Sequence, residues 1–176
     1  MIVMTENELR QVAVPFDFKD QEIDLIEFRK ELIEAMWLNN GLGVSAVQIG
    51  KNLRILAMRG KTKEESIVMV NPIVEEYSTD FNTMEEGCLS IPDVFARVVR
   101  PSEVSVTWTN ELNEEEKERL DGLTARDFQH ELDHLEGILF IDRIKPFARK
   151  RAFDKAKKIQ KMRGRGKEKY KARFAL

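Results

Sequence analysis

The sequence predicts an α+β fold in which mixed, mainly antiparallel sheets pack around a central helix, with another helix at the C terminus. Two observations support this prediction. Short apolar runs between residues 53 and 108 follow one another with turn signals between them. Helical patterns flank these runs, at residues 22–38 and from residue 121 onward. A group of strands between two helices favours an α+β fold over an alternating βαβ series.

The N-terminal half begins with a predicted helix, followed by a loop of small residues. In EIDLIEFRKELIEAMWL, residues 22–38, apolar side chains recur at helical spacing. The sequence Asn39-Asn40-Gly41 then supplies a helix end signal. The stretch GLGVSAVQ, residues 41–48, is predicted to form a loop of small residues.

The middle of the chain contains several predicted strands, and most of them are flanked by turn-forming residues. The second strand is expected to end at Asn71-Pro72, and the third leads into EEGCLSIP, residues 85–92. The segment ELNEEEKERL, residues 111–120, predicts a polar hairpin turn and a short strand, with a helix as the alternative. The other predicted strands cover residues 53–58, 66–70, 81–84, 94–99 and 103–108.

A central helix is predicted from the segment LTARDFQHELDHLEG. Asp121 is a candidate N-cap, and Thr124 competes with it because an acid follows three residues later. Gly137 supplies the C-terminal stop. This helix carries both histidines of the chain.

The C terminus predicts one more helix. Pro146 suits its first turn, and we expect the helix to end near Met162. Residues 163–176 are expected to be frayed or disordered. Residues 1–146 then form the main part of a single domain, and residues 147–176 form its basic C-terminal helix and tail.

Composition restricts the class of protein. The 176 residues suffice for one domain, and a chain with 42% hydrophobic and 34% charged residues is not of the disordered class. No apolar run of eighteen residues and no signal-peptide pattern is present, so neither a membrane span nor export is expected. Cys88 is the only cysteine, which excludes an intrachain disulfide and favours a reducing compartment such as the cytoplasm.

The net charge of −2 hides a strong asymmetry. From Arg143 to the end, fifteen basic residues face only Asp154 and Glu168, whereas residues 1–142 hold fourteen basic and twenty-nine acidic residues. A C-terminal segment with this large an excess of positive charge predicts an anionic partner, such as the ribosome or a nucleic acid. The alternatives are a solvated helix face and an amphipathic cover over the core.

The segment QHELDHLEG carries the strongest chemical signal. His130 and His134 lie four residues apart, so a helix directs both imidazoles to one point, as a divalent metal requires. Glu131 follows the first histidine and is placed to meet a water at that metal. The alternative is a pair of surface histidines at helical spacing.

A hydrolytic metal site usually has three protein ligands, and the chain has no third histidine. A carboxylate is one candidate and Cys88 is the other. A lone cysteine is more often a small buried hydrophobe, but beside an incomplete two-histidine site the ligand role becomes the favoured interpretation.

The loop GLGVSAVQ does not match a phosphate-binding loop. It lacks the lysine and following Ser/Thr of a P-loop, and GxG without a third glycine is weak evidence for a dinucleotide site. Close approach of its backbone to a substrate is the alternative. Gln48 would then be a neutral donor facing a developing oxyanion.

The three segments GLGVSAVQ (41–48), EGCLS (86–90) and HELDH (130–134) together resemble the motifs of the peptide deformylase family. The resemblance extends from about Leu9 to the C-terminal helix. Ser45 stands where the family usually has alanine, and Val44 where leucine is commoner. A family contact that is usually basic or polar falls on Phe95 here.

This resemblance implies hydrolysis of the N-formyl group from the initiator methionine of new polypeptides, with release of formate. It implies that Glu131 takes a proton from a metal-bound water and passes one to the leaving amine. The Gln48 amide and the Leu89 backbone N–H would stabilise the oxyanion. The implied metal ligands are Cys88, His130 and His134, and the implied substrate contacts are Gly43, Val44, Glu86 and Gly87.

The resemblance favours iron(II) as the physiological metal, and the donor set also suits zinc, nickel or cobalt. Expected partners are formyl-methionyl nascent peptides and, through the basic tail, the ribosome or its RNA. We expect a cytoplasmic monomer, bacterial, organellar or virus-encoded, with no membrane partner. Asp133 and Arg126 either orient the ligands or make surface pairs.

Two other functions remain open from the sequence. One is a zinc endopeptidase with a carboxylate as its third ligand. The other is a ribosome- or RNA-binding protein with a vestigial metal site.

Overall fold

A computed structural model describes residues 7–19 and 23–174, and for residues 164–174 it describes the backbone alone. Two sheets and three α-helices make up the fold. In chain order, the first four helices and strands are α1 (Leu25–Leu38), β1 (Gly43–Ser45), β2 (Ile55–Met58) and β3 (Ile67–Tyr77). The others are β4 (Phe81–Cys88), β5 (Ile91–Pro101), β6 (Glu103–Thr109), β7 (Glu115–Asp121), α2 (Gly122–Leu135) and α3 (Pro146–Phe174). Short 3₁₀ turns occupy Glu8–Arg10, Ala46–Ile49 and Phe140–Arg143.

The larger sheet has the strand order β1-β2-β3-β6-β7, and every neighbouring pair is antiparallel. The second sheet is the antiparallel hairpin of β4 and β5. The central helix α2 packs on the five-stranded sheet, and the hairpin carries Cys88 to it. The predicted α+β class, with its central HExxH helix and C-terminal helix, is confirmed.

β1 and β2 are buried on both faces of the five-stranded sheet, and strand alternation decides which side chains meet which helix. On β2, Ile55 and Ala57 belong to the cluster beneath α1, whereas Leu56 and Met58 belong to the cluster beneath α2. A third cluster joins β5 to the 3₁₀ turn at residues 140–143 and to Ala152 and Ala156 of α3. α3 is therefore packed against the body of the domain.

The central helix begins and ends close to its predicted limits. Asp121 takes the N-cap position, but its side chain makes no capping hydrogen bond. Gly122 and Gly137 have φ values of +53° and +69°, a conformation that favours glycine. The helix therefore runs between a glycine at its first residue and a glycine two residues after its last.

Several element limits differ from the prediction. The strand expected to end at Asn71-Pro72 continues to Tyr77, because Asn71 has φ +51° at an irregularity in the β3–β6 register that accommodates Pro72. The predicted loop at residues 41–48 contains a short strand that pairs with β2. The last helix continues to Phe174 and does not end near Met162.

The first helix also starts later than predicted. It begins at Leu25, with Asp24 as an N-cap whose carboxylate accepts from two backbone N–H groups, and residue 22 lies outside the described residues. Within the described residues, no helix is long and apolar enough to cross a lipid bilayer.

Candidate metal centre

The central helix brings the two histidines together in the interior. His130 and His134 are both buried, and their ring centroids lie 5.1 Å apart. Their i, i+4 spacing on α2 places both rings on one face, as predicted. The helix is buried along this stretch because the sheet packs on one side and the hairpin on the other.

The third donor comes from the end of β4. The register of the hairpin shifts between Gly87 and Cys88, at the last residue of the strand. Cys88 Sγ lies 3.2 Å from His134 Nε2, and one donor atom from each of the three side chains lies within 4.8 Å of the others. One sulfur and two imidazole nitrogens at this spacing fit a divalent transition metal.

The surroundings of Cys88 favour the charged form of its thiol. Burial raises the pKa of the Cys88 thiol, but hydrogen bonds from His130 and His134 outweigh burial and bring the pKa well below its usual value. Burial lowers the pKa of His130, but Cys88 and Glu86 raise it well above its usual value. The sulfur therefore has thiolate character, and the thiolate is the form of cysteine that binds metals.

A buried carboxylate orients the first histidine. His130 Nδ1 lies 3.1 Å from Glu86 Oε2, which leaves Nε2 as the nitrogen that can face a metal. His134 Nδ1, in contrast, has no hydrogen-bond partner among the described residues. Among the described residues, a side-chain acceptor therefore orients the ring of His130 but not that of His134.

Two arginines hold Glu86 in its ionised form. Arg100 donates from Nε at 2.7 Å and from Nη2 at 2.9 Å, and Arg126 donates from Nη1 at 2.8 Å. Burial raises the pKa of Glu86, but Arg100, His130 and Arg126 outweigh burial and hold it far below its usual value. The carboxylate of Glu86 therefore lies inside an ion cluster, and the expected contact of this residue with substrate stays a prediction.

The cluster extends along the helix. Asp133 accepts from Arg100 Nη1 at 2.7 Å and also pairs with Arg143. Arg126 donates to the backbone oxygens of Val98 and Asn82, each at 3.0 Å. The sequence left open whether Asp133 and Arg126 orient the ligands or pair at the surface. Both are buried in the cluster that holds Glu86.

Glu131 is the acid that remains free for chemistry. Its side chain is buried, and its Oε2 has no hydrogen-bond partner among the described residues. Burial raises the pKa of Glu131 to about 8; the two histidines oppose this rise, and Asp127 and Cys88 add to it. A carboxyl with a pKa near neutrality can both accept and return a proton.

Gly43 lies directly against this acid. A Cβ at position 43 would fall 2.7 Å from Glu131 Cγ and 2.8 Å from Asp127 Oδ2. Both distances are far below van der Waals contact, so the backbone of β1 can approach Glu131 only because residue 43 is glycine. The predicted close approach of this segment to a substrate is a different contact and stays a prediction.

The orientation of Gln48 follows from its neighbours. Its Oε1 accepts from the Ser45 backbone N–H at 2.9 Å and from the Ser45 hydroxyl at 3.2 Å. The Nε2 group consequently faces the site, 3.2 Å from Ser90 Oγ and 3.7 Å from Cys88 Sγ. Gln48 is thus a fixed neutral donor beside the sulfur.

A cavity of about 380 Å³ connects these groups. Val44 is one predicted contact that does not line it, because its side chain is fully buried in the core beneath α1. His134, a predicted ligand, is fully buried and does not line it either. The remaining predicted residues form part of its wall: Gly43, Gln48, Glu86, Gly87, Cys88, Leu89, His130 and Glu131.

Two residues of the site were missed in the sequence. Asp127 lines the cavity, and burial raises its pKa to about 7. Its spacing of four residues from Glu131 was a usable signal. Arg100 had no such signal, because its contacts with Glu86 and Asp133 depend on how the hairpin docks on α2.

The buried donors, the free acid and the fixed amide define a metal-dependent hydrolase centre. The family model for polypeptide deformylase matches residues 1–150. The chain belongs to the polypeptide deformylase family, the metal-dependent hydrolases that remove the N-formyl group from nascent chains.

Similar proteins agree with this assignment. A peptide deformylase of Prochlorococcus marinus (strain MIT 9312) is 42% identical over 142 residues, which cover 79% of this chain and 70% of the relative. One from Brucella suis is 38% identical over 168 residues, covering 93% and 94%. The solved structure of a peptide deformylase from Legionella pneumophila has a TM-score of 0.82 at 32% identity, covering 93% of this chain and 96% of that one.

Replacing Glu86 by glutamine should destabilise the protein by about 3–5 kcal/mol at pH 7, because two buried arginines lose their anionic partner. The ionised carboxylate stabilises the fold above its usual pKa of 4.5, and this contribution is lost as the pH falls below that value. Urea unfolding of metal-free wild type and Glu86→Gln should therefore show a gap that is largest near neutrality and narrows below pH 4.5.

The exposed neighbour Glu85 supplies the matched control for this experiment. Glu85→Gln should change the unfolding free energy by less than about 0.5 kcal/mol. A Glu86→Gln gap that stays constant as the pH falls, or that is no larger than the Glu85→Gln gap, would contradict the role assigned to the cluster.

Proposed function

We propose that this chain deformylates formyl-methionyl nascent peptides in the cavity described above. Different side chains would bind the metal, transfer protons and stabilise the oxyanion. The observation that carries the proposal is the position of Glu131, whose buried Oε2 has no hydrogen-bond partner among the described residues. Its side chain lines the same cavity as Cys88 and His130, two of the three clustered metal donors. Cys88, His130 and His134 would hold the metal.

When bound, the metal supplies Lewis acidity, which lowers the pKa of a water and polarises the formyl carbonyl. Iron(II) is the physiological ion that we propose, and zinc, nickel and cobalt are compatible with the same donor set. The low pKa of Cys88 supports a thiolate ligand without the need for a strong external base.

Glu131 is the general base and then the general acid. As the water oxygen bonds to the formyl carbon, the Glu131 carboxylate accepts the proton that the water loses. When the carbon–nitrogen bond breaks, Glu131 returns a proton to the leaving amine, and formate is released. The raised pKa of Glu131, about 8, suits both transfers at neutral pH.

Two neutral donors stabilise the oxyanion of the tetrahedral intermediate. Gln48 presents its Nε2 group to the site because its Oε1 is held by Ser45. The backbone N–H of Leu89, directly after the ligand Cys88, is the second proposed donor. Gly43 and Gly87 offer backbone to the substrate, and Val44 can contribute through its backbone alone.

The proposed setting is the cytoplasm, where the chain acts as a monomer on peptides emerging from the ribosome. The excess of basic residues after Arg143 supports contact between the C-terminal part and ribosomal RNA. The packing of Ala152 and Ala156 against the core means that a cut at residue 147 would also disturb the fold.

Formate release from formyl-Met-Ala-Ser by anaerobically prepared, iron-loaded protein tests the proposed reaction. Cys88→Ser should lose metal and lower formate release by well over 100-fold, more than the loss of an outer-shell partner usually costs. Metal content and cleavage of internal peptide bonds, followed by mass spectrometry, are measured on the same samples. Retained metal with endopeptidase activity in Cys88→Ser would instead indicate a protease with a carboxylate ligand.

Truncation after Arg163 tests the ribosome contact with less damage to the fold. It removes five basic residues and only one acid, Glu168. Turnover of the tripeptide should be unchanged, whereas cosedimentation with ribosomes should weaken and depend less steeply on salt. Identical salt dependence of the truncated and full chains would contradict a role for this segment.

A further inference from the structure

A second depression adjoins the cavity. Glu85 and Phe95 line both the active-site cavity and a groove of about 700 Å³ between β5 and α3. Small side chains leave room along this groove, namely Ala96, Ala148 and Ala152. The groove therefore continues from the mouth of the cavity along the C-terminal helix.

Phe95 marks the junction between the two spaces. Its ring lies over Gly87, where a Cβ would fall only 2.6 Å from Phe95 Cε1, yet the residue remains 51% exposed. One face of the ring is thus fixed against the backbone of the ligand-bearing strand. The rest of the ring is exposed and can contact a peptide that extends out of the cavity.

The substrate of a deformylase is a polymer, and its length matters here. An extended chain advances by about 3.3–3.6 Å per residue, so a cavity of about 380 Å³ holds only the first residues. The following residues must leave through the mouth. The shared wall at Glu85 and Phe95 offers the groove as a continuous path.

The groove carries a net positive charge. Arg151, Lys155 and Lys158 lie at i, i+4 and i+7 on one face of α3, and Arg97 lies on β5. Arg97 is opposite Glu85 in the hairpin register, so that acid is locally balanced, and Asp154 is the other acid of the groove. In the described part of the chain, Arg97, Lys155 and Lys158 form no side-chain ion pair.

We propose that the groove between β5 and α3 binds the downstream segment of the nascent chain and favours acidic residues there. This assignment rests on the proposed function, because it requires the formylated end to occupy the cavity. Two observations favour the nascent chain as the ligand of this groove. The groove adjoins the active-site cavity, and its positive charge complements acidic residues of a peptide. The specificity is electrostatic, so it acts most strongly at low salt.

A charge-reversal pair with a matched control tests the proposal. The groove variant is Lys155→Glu with Lys158→Glu, and the control is Lys150→Glu with Lys157→Glu, exposed positions on α3 outside the groove. Both variants change the net charge equally. The substrates are formyl-Met-Ala-Ser and two longer forms, ending in Glu-Glu-Glu or Lys-Lys-Lys.

At low salt, wild type and control should show about a tenfold higher kcat/KM for the acidic than for the basic hexapeptide, and high salt should reduce this ratio. The groove variant should reverse the preference. Turnover of the tripeptide by all three proteins reports the proposed function separately, because the tripeptide does not reach the groove. Equal kcat/KM values for both hexapeptides in wild type, or the same reversal in the control, would overturn the proposal.

RNA is the competing occupant of these cations. An unchanged peptide preference in the groove variant, together with loss of binding to a single-stranded RNA oligomer, would overturn the peptide assignment and give the groove to nucleic acid.

Discussion

The metal centre depends on one buried ionised carboxylate. Glu86 accepts from Arg100 on β5 and from Arg126 and His130 on α2. It therefore fixes the hairpin against the central helix with charged hydrogen bonds, which are stronger and more directional than apolar contacts. Because Cys88 lies two residues further along the same strand, holding Glu86 also holds the sulfur beside the imidazoles.

The same arrangement separates the acids of the site into two classes. The arginines keep Glu86 charged, whereas Glu131 and Asp127 form no salt bridge with an arginine or lysine in the described part of the chain and have pKa values raised by burial. When two neighbouring carboxyl groups have very different pKa values, they can have different chemical roles. One acid is a fixed support, and another can exchange protons near neutral pH.

The ligand set was predictable because it depends on local geometry and on residue scarcity. Helical spacing aligns His130 with His134, and Cys88 was the favoured third donor once a third histidine was missing. The path of β3 past Pro72 was not predictable, because an irregular register with partner strand β6 accommodates the proline. The ion cluster around Glu86 was also not predictable, since a charge can be buried there only when two distant arginines converge on it. Such convergence is a property of packing between elements and has no local sequence signal.

The central claim is that Cys88 shares one metal with both imidazoles. X-ray absorption at the metal edge of zinc-loaded protein measures this directly. The structure predicts one sulfur neighbour at about 2.3 Å and two nitrogen neighbours at about 2.0–2.1 Å, with the sulfur contribution lost in Cys88→Ser. A shell of nitrogen and oxygen alone in the wild-type protein would contradict the account.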